Sequence, residues 1–208
     1  MDLVFLSPHP LVKHKMAALR STVTPPAEFR RLVRELSYLL AYEATLDLPT
    51  KSSTVETPLG QCEAQILAES VGVIPILRAG LGMAEGVLEL IPQAEVWHIG
   101  LFRDEATHQP TQYYSKLSRP CRFQTALVID PMLATGGSAA RACELLVQVG
   151  VSRMKMLALI AAPEGIAAFR RAMPHVPIHV AAIDQGLNEH KFIVPGLGDA
   201  GDRQYATS

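Results

Sequence analysis

From residue 71 onward, short runs of consecutive apolar residues alternate with segments in which apolar residues recur every three or four positions. Recurrence at three and four predicts helices with one apolar face, whereas a continuous apolar run is typical of a strand buried on both sides. This alternation predicts an α/β fold with a mostly parallel sheet flanked by helices. The predicted strands are 71–77, 96–102, 123–129, 154–161 and 178–183, and the predicted helices are 81–91, a segment that begins after Gly137, and 164–173.

The first 70 residues follow a different pattern, in which helices precede a polar segment. After an extended start, residues 10–20 are predicted to form a short helix. Thr24 is the expected N-cap of a second helix, because prolines in the first turn and an early Glu28 are helix-start signals. That helix carries one apolar stripe, made of Phe29, Leu32, Val33, Leu36, Leu39 and Leu40. Residues 47–57 are polar, and a strand or hairpin is expected around 62–67.

The composition is that of a folded protein with one core. With 208 residues, of which 49% are hydrophobic and 19% charged, the chain is expected to form a single domain over residues 1–208. Its net charge is −1 and it has no lysine or arginine run, which argues against nucleic acid as a partner. No apolar run reaches membrane-spanning length, and the three cysteines are scattered. These features predict a cytoplasmic protein without a membrane partner.

The strongest indication of chemistry lies in residues 130–138. Asp130 ends an apolar run, and a loop of small residues leads from it into a predicted helix. The first N–H groups of a helix lack partners and attract anions, and Gly136 and Gly137 let a phosphate approach the backbone. A carboxylate beside a phosphate would suit the neutral hydroxyls of a sugar that carries the phosphate, or a shared metal. The loop is therefore interpreted as a ribose-phosphate site.

The alternative interpretation of this loop is an ordinary strand-to-helix turn in which Asp130 only caps the helix. Two better-known phosphate motifs do not match. The chain lacks the Gly-Lys-Ser/Thr of a P-loop and the G-x-G-x-x-G spacing of dinucleotide-binding folds. Hydrolysis of nucleoside triphosphates and hydride transfer are therefore disfavoured.

Charged residues follow four of the predicted strands. Arg78, Arg103, Asp130 and Asp184 each come directly after an apolar run. In parallel sheets, ligands bind outside the carboxyl ends of the strands. Because arginine stays charged and holds phosphate oxygens bidentately, the two arginines are candidates for anion binding. The alternative for either arginine is a structural ion pair, for example with Glu85 or Asp104.

A second informative segment is the glycine- and proline-rich tail, residues 192–203. Small and cyclic residues leave main-chain donors and acceptors accessible, and such a backbone can recognise the edge of a flat heterocycle. The alternative is a loop that packs against the body and has no ligand.

These segments together resemble one family. Residues 130–138 resemble the phosphoribosyl diphosphate (PRPP) motif of type I phosphoribosyltransferases. That motif usually has two consecutive acidic residues. Pro131 replaces the second, which is the form found in uracil phosphoribosyltransferases. Further segments that resemble that family's signatures are 9–15, 42–45, 76–83 and 194–203.

The resemblance implies a type I phosphoribosyltransferase fold and a reaction in which uracil and PRPP give UMP and diphosphate. It implies that the loop holds the 5′-phosphate, that Asp130 binds the ribose hydroxyls and that the two arginines bind diphosphate. The implied PRPP-binding residues are Arg78, Arg103, Asp130, Pro131, Met132, Leu133, Ala134, Thr135, Gly136, Gly137, Ser138 and Asp199. The implied uracil-binding residues are Ile193, Gly198, Asp199 and Ala200, and the implied catalytic residues are Asp130, Arg103 and Asp199.

The resemblance also implies the parts around this site. Mg²⁺ is the expected cofactor, carried by PRPP rather than held by a protein metal site. Residues 104–120, with Tyr113, Tyr114 and Lys116, are expected to form a flexible hairpin lid, although Ser118 departs from the family's usual proline. Residues 185–208 are expected to form a hood over uracil. The family forms dimers or larger assemblies, so a homodimer or homotetramer is expected. Some members respond to GTP, and whether this chain does stays open.

Two alternatives remain at this point. One is a type I transferase for another base, against which the glycine- and proline-rich tail argues. The other is a PRPP-binding regulator without catalysis, which should show a basic face for RNA or DNA.

Overall fold

The helices and strands largely follow the predicted order. The computed structural model describes residues 3–103, 110–115, 117 and 121–207. Within these residues the helices are α1 Pro10–Arg20, α2 Pro26–Ala44, α3 Leu81–Leu90, α4 Gly137–Gln148, α5 Pro163–Ala172 and α6 Ala200–Tyr205. The strands are β1 Val4–Leu6, β2 Thr50–Thr57, β3 Gly60–Leu67, β4 Val71–Leu77, β5 Glu95–Val96, β6 Ile99–Arg103, β7 Pro110–Ser115, β8 Thr125–Ile129, β9 Met132–Leu133, β10 Arg153–Ala161, β11 Ile178–Ile183, β12 Gly186–Leu187 and β13 Ile193–Val194.

One large sheet organises the described part of the chain. Its strand order is β1-β11-β10-β8-β4-β6-β7, with β5 paired to β4 and β9 paired to β10. The pairs are parallel except that of β6 with β7, which is antiparallel. The predicted α/β class, a mostly parallel sheet flanked by helices, is confirmed.

The central strands β4, β8 and β10 are buried on both faces of the sheet, which explains their continuous apolar runs. In β8, Leu127 and Ile129 pack in the core beneath α1, α2 and α3. The alternate residues Ala126 and Val128 pack in the opposite core, beneath α4 and α5. Successive side chains of a strand point to opposite faces, so both positions must be apolar.

The N-cap prediction for Thr24 is wrong. Helix α2 begins at Pro26, its N-cap is Pro25, and no side chain caps it. The Thr24 hydroxyl instead donates to the carbonyl of Ala18 at 2.6 Å. The threonine therefore closes the turn after α1 instead of capping α2.

Two strand predictions need correction. The predicted strand 96–102 is divided into β5 and β6, and Trp97 between them packs edge-on against Phe123 with 4.6 Å between ring centroids. The hairpin expected around 62–67 extends further than predicted, since most of the polar segment 47–57 forms β2, which pairs with β3. Alternating polarity is weak there because both faces of that hairpin are accessible to water.

No described helix is both long and apolar enough to cross a membrane.

Candidate active site

The loop between β8 and α4 forms a small cavity at the N-terminus of a helix. Helix α4 begins at Gly137 without a side-chain cap, so its first N–H groups are left for another partner. A cavity of about 40 Å³ lies there and is large enough for a few atoms only. Its walls are made by Asp130, Met132, Leu133, Ala134, Thr135, Gly136, Ser138 and Ala139. The N–H groups in the first turn of a helix suit a phosphate bound in such a space.

Glycine is required at the turn into α4. Gly136 has φ of 78°, in the left-handed region, and a Cβ there would lie 2.6 Å from the carbonyl oxygen of Gly165. Gly165 lies in α5, and a Cβ on it would lie 2.4 Å from the carbonyl oxygens of Leu133 and Ala134. Helix α5 therefore supports the loop from behind by direct backbone contact, which fixes the loop's shape.

Asp130 is partly buried at the edge of this cavity. One carboxylate oxygen accepts a hydrogen bond from the N–H of Met132 at 3.1 Å. Burial raises the pKa of Asp130 to about 7, the Met132 N–H opposes the rise, and the negative charge of Asp199 adds to it. A carboxyl group with a pKa near 7 changes its charge around neutral pH. It accepts hydrogen bonds from hydroxyls most strongly in its ionised form.

A larger cavity of about 460 Å³ continues from the loop. Segments from five places in the chain line it, and the strand segments contribute residues at or near their carboxyl ends, as expected for a parallel sheet. They are Ile76 to Ala79 at the end of β4 and just after it, Leu101 of β6, the loop residues Asp130, Met132, Ala134 and Ser138, Ile160 of β10, and the tail residues His190 to Ile193 and Leu197 to Asp199. The volume is that of a ligand site for a small molecule.

Arg78 lines this cavity directly after β4, as predicted from the strand end. The peptide bond that precedes it is cis. Its guanidinium group lies 3.5 Å from the carboxylate of Asp202 in α6, and both side chains are substantially exposed. Arg78 therefore does form a structural ion pair, but with Asp202 rather than with Glu85. Being exposed, this pair is weak enough for a more highly charged anion to replace Asp202.

Some of the predicted site residues lie partly or wholly outside the described residues. The backbone of Arg103 ends β6, and its side chain lies outside what the structure describes. The same holds for most of the predicted lid, residues 104–120. Strand β7 is described, and its Tyr113 ring covers Gly100, where a Cβ would lie 2.6 Å from the ring.

The predicted uracil-binding residues meet at the tail. Ile193, Gly198 and Asp199 line the larger cavity, and Ala200 is buried beside them as the first residue of α6. Asp199 is the N-cap of α6, where one of its carboxylate oxygens accepts from the N–H of Asp202 at 2.9 Å. The segment forms a short β12–β13 hairpin followed by a helix rather than a loop throughout.

Two predicted PRPP-binding residues line neither cavity. The carbonyl of Pro131 accepts from the N–H groups of Leu159 and Ile160 at 3.1 and 3.0 Å, so this residue joins the loop to β10. Gly137 is the first residue of α4, where it begins the helix.

The tail is held in place by side-chain contacts that the sequence did not predict. Arg20 at the end of α1 donates to Asp184 at 2.8 Å and to the carbonyl of Gly196 at 2.7 Å. Asp184 also accepts from the N–H of Gly196 at 2.8 Å. Asp184, which follows β11, is therefore an anchor of the tail rather than a member of the phosphate site.

Two residues of α6 complete this attachment. Arg203 donates to the carbonyls of Leu19 and Leu197 at 2.9 and 2.8 Å, and its guanidinium lies 4.4 Å from the ring centroid of Phe29. Gln204 is fully buried and donates to the carbonyl of Ala79 at 3.0 Å, which ties α6 to the loop that carries Arg78. Such pairings lie far apart in the chain, and no local pattern reveals them.

The cavity offers ligands that suit Mg²⁺. The carboxylates of Asp130 and Asp199 both line it, and Mg²⁺ binds one or two carboxylates while the phosphates of its substrate supply further oxygens. The described residues contain no group of three or more His, Cys, Asp or Glu side chains that could hold a metal ion by themselves.

The comparisons with known proteins agree with this geometry. The profile of the family described as uracil phosphoribosyltransferase matches residues 6–207. A uracil phosphoribosyltransferase of Roseiflexus castenholzii is 56% identical over 207 residues, covering 100% of both chains. A solved structure of a protein from Aquifex aeolicus is similar with a TM-score of 0.93 at 37% identity over 99% of each chain.

A more distant structure shows the fold alone. A hypoxanthine-guanine phosphoribosyltransferase from Bacillus anthracis is similar with a TM-score of 0.52 at 14% identity, covering 76% of this chain and 80% of that one. The fold is thus shared with a type I phosphoribosyltransferase, whereas the full-length matches are more specific. This chain belongs to the uracil phosphoribosyltransferase family.

Proposed function

We propose that this protein transfers the phosphoribosyl group of PRPP to N1 of uracil, forming UMP and diphosphate. The observation that carries the proposal is one continuous cavity bounded by the helix N-terminus of α4, by Arg78 and by the backbone of the tail. These three parts suit a phosphate, a diphosphate and a nucleobase respectively. The match to the uracil phosphoribosyltransferase family over residues 6–207 supports the choice of base.

The sugar phosphate would bind where α4 begins. The N–H groups at the start of α4 would bind the 5′-phosphate, assisted by the hydroxyls of Thr135 and Ser138. Asp130, which borders both cavities, would accept hydrogen bonds from the ribose hydroxyls. Ground-state binding of this kind places the anomeric carbon between the leaving group and the incoming base.

Departure of diphosphate develops positive charge on the sugar and negative charge on the leaving group. Arg78 lies where it would stabilise the latter, and the same role for Arg103 remains a prediction from the family resemblance. Mg²⁺, arriving with PRPP and contacting Asp130 or Asp199, would offset further negative charge on the diphosphate.

Uracil would be recognised mainly by main-chain groups of the tail. Its O2, N3–H and O4 edge presents an acceptor, a donor and another acceptor. Ile193, Gly198 and Ala200 lie where their N–H and carbonyl groups would complement that edge. Cytosine would leave a main-chain group without a partner, which costs about 1–3 kcal/mol when that group is buried. Asp199 is a candidate to accept the N1 proton.

A direct assay would test the function. Protein, Mg²⁺ and PRPP would be mixed with uracil, cytosine or hypoxanthine, and diphosphate release would be followed together with the nucleotide product. Release with uracil alone is expected. Release with another base would replace the substrate assignment, and PRPP binding without release with any base would favour a regulator.

The role of the tail has its own test, Ala200→Pro. Proline is tolerated at the first position of a helix, where the N–H has no intrahelical partner, and Asp199 already has the extended backbone that proline requires before it (φ −79°, ψ 115°). The substitution should therefore remove one main-chain donor and leave α6 formed. The KM for uracil is expected to rise while the KM for PRPP changes little. Ala200→Ser, which keeps the N–H, is the matched control.

A further inference from the structure

A tight turn at residues 188–192 forms part of the rim of the larger cavity. The side-chain oxygen of Asn188 accepts from the N–H groups of His190 and Phe192 at 3.0 and 2.9 Å, and its carbonyl accepts from the N–H of Lys191 at 3.0 Å. These bonds fix the backbone at the turn. His190, Lys191 and Phe192 therefore line the cavity as parts of a well-defined structure.

Lys191 has an unusual backbone conformation for a residue with a side chain. Its φ is 64°, in the left-handed region where glycine is favoured. A non-glycine residue there costs about 1–2 kcal/mol relative to glycine. Positions that keep such strain are often functional ones, and the side chain is what glycine would lack. The ammonium group of Lys191 is therefore a candidate for a functional role.

The charged groups of the cavity indicate what the ammonium group of Lys191 could bind. Among the described side chains that line the cavity, Asp130 and Asp199 carry carboxyl groups, Arg78 carries a guanidinium group and Lys191 carries an ammonium group. Arg78 faces Asp202, whereas Lys191 has no ion-pair partner within the described part of the chain. PRPP and diphosphate each carry several negative charges, so an ammonium group at the rim would add to the attraction that Arg78 and Mg²⁺ provide.

We propose that Lys191 is an additional binding residue for the anionic substrate, attracting PRPP and the product diphosphate to the cavity with its ammonium group. This proposal rests on the proposed function for the identity of the anion. The group acts by charge at an exposed rim, so its effect should be modest and should decrease as salt increases.

Three variants separate the charge from the backbone. Lys191→Met removes the charge and keeps a long side chain. Lys191→Gly removes the charge and also relieves the backbone, whereas Lys191→Arg keeps the charge. Lys51→Met, on exposed strand β2 and away from the cavity, is the matched control for loss of one surface lysine.

The readouts are the KM for PRPP, the KM for uracil and the dissociation constant of Mg²⁺-diphosphate measured by calorimetry, at low and high salt. In Lys191→Met and Lys191→Gly we expect the KM for PRPP and the dissociation constant of Mg²⁺-diphosphate to rise about fivefold at low salt and less at high salt. The KM for uracil, and all values for Lys191→Arg and Lys51→Met, should stay within about twofold. Unchanged diphosphate affinity in both Lys191→Met and Lys191→Gly, or weakening in Lys191→Met alone, would overturn the proposal.

Failure of the proposed function would look different. Wild-type protein would then make no UMP from uracil and PRPP, while calorimetry would still show whether Lys191→Met weakens diphosphate. If the wild-type protein binds neither PRPP nor diphosphate, both proposals are wrong.

Discussion

The negative charge of Asp199, at the N-cap of α6, adds to burial in raising the pKa of Asp130, at the end of β8, to about 7. Two carboxyl groups from distant parts of the chain are thus electrostatically coupled at one cavity. A group with this pKa changes charge close to neutral pH, so its protonation should be visible in both catalysis and stability.

The first prediction concerns catalysis. The value of kcat/KM for PRPP should rise with pH through an inflection near 7, because the ionised Asp130 binds the ribose hydroxyls best. In Asp199→Asn the inflection should move to lower pH, since one of the causes of the raised pKa is removed and asparagine still caps α6. Asp202→Asn, which removes a carboxylate that does not influence the pKa of Asp130, should leave the inflection in place. An equal inflection in wild type and Asp199→Asn would contradict the coupling.

The second prediction concerns stability. The folded pKa of Asp130 is raised from its ordinary value of 3.8 to about 7, so ionising the folded protein is unfavourable. Its contribution to the free energy of unfolding is therefore fully present at pH below 4 and is lost as the pH rises through 7. Relative to Asp130→Asn, the wild type should become less stable between about pH 5 and about pH 8, as measured by urea unfolding at both. A constant difference between the two proteins would refute the raised pKa.

The third prediction tests the turn into α4 with two glycines that both have positive φ, Gly136 at 78° and Gly150 at 93°. A Cβ on Gly136 would collide with the carbonyl of Gly165, whereas a Cβ on Gly150 meets nothing within 4 Å. Gly150→Ala should cost about 1 kcal/mol of unfolding free energy, and Gly136→Ala at least about twice that. Only Gly136→Ala should also raise the KM for PRPP. Equal effects of the two substitutions on stability and KM would show that the contact with α5 does not shape the phosphate site.

The fourth prediction tests the anchor of the tail. Asp184→Ala should cost about 2 kcal/mol, because it leaves Arg20 and the N–H of Gly196 without their buried partner. The KM for uracil should rise more than the KM for PRPP, since the anchored segment carries the base site. Glu144→Ala, which removes an exposed pair with Arg141 on α4, should change stability by less than about 1 kcal/mol. A uniform loss of affinity for both substrates in Asp184→Ala would indicate a general defect in folding instead.

The parts of the fold that the sequence predicted are those governed by local rules. Residues such as Leu127 and Val128 are apolar on both faces of β8 because helices cover both sides of the sheet. The phosphate loop could be predicted for the same reason. Gly136 and the start of α4 are adjacent in sequence, and any helix N-terminus attracts anions.

The parts that escaped prediction depend on distant partners or on competing local bonds. Nothing near Asp184 indicates that it would pair with Arg20, and nothing near Gln204 indicates the carbonyl of Ala79. Helix α6 had a usable signal, because Asp199 followed three residues later by Asp202 resembles a helix-start pattern, but the surrounding glycines and prolines favoured a loop.

The attachment of the tail by Arg20 and Asp184 joins residues that are 164 positions apart. Closing so long a segment of chain costs more entropy than forming neighbouring contacts, and such closures tend to come late in folding. A refolding molecule should consequently regain affinity for sugar phosphate, whose cradle is built from one contiguous stretch, before it regains the ability to discriminate between nucleobases.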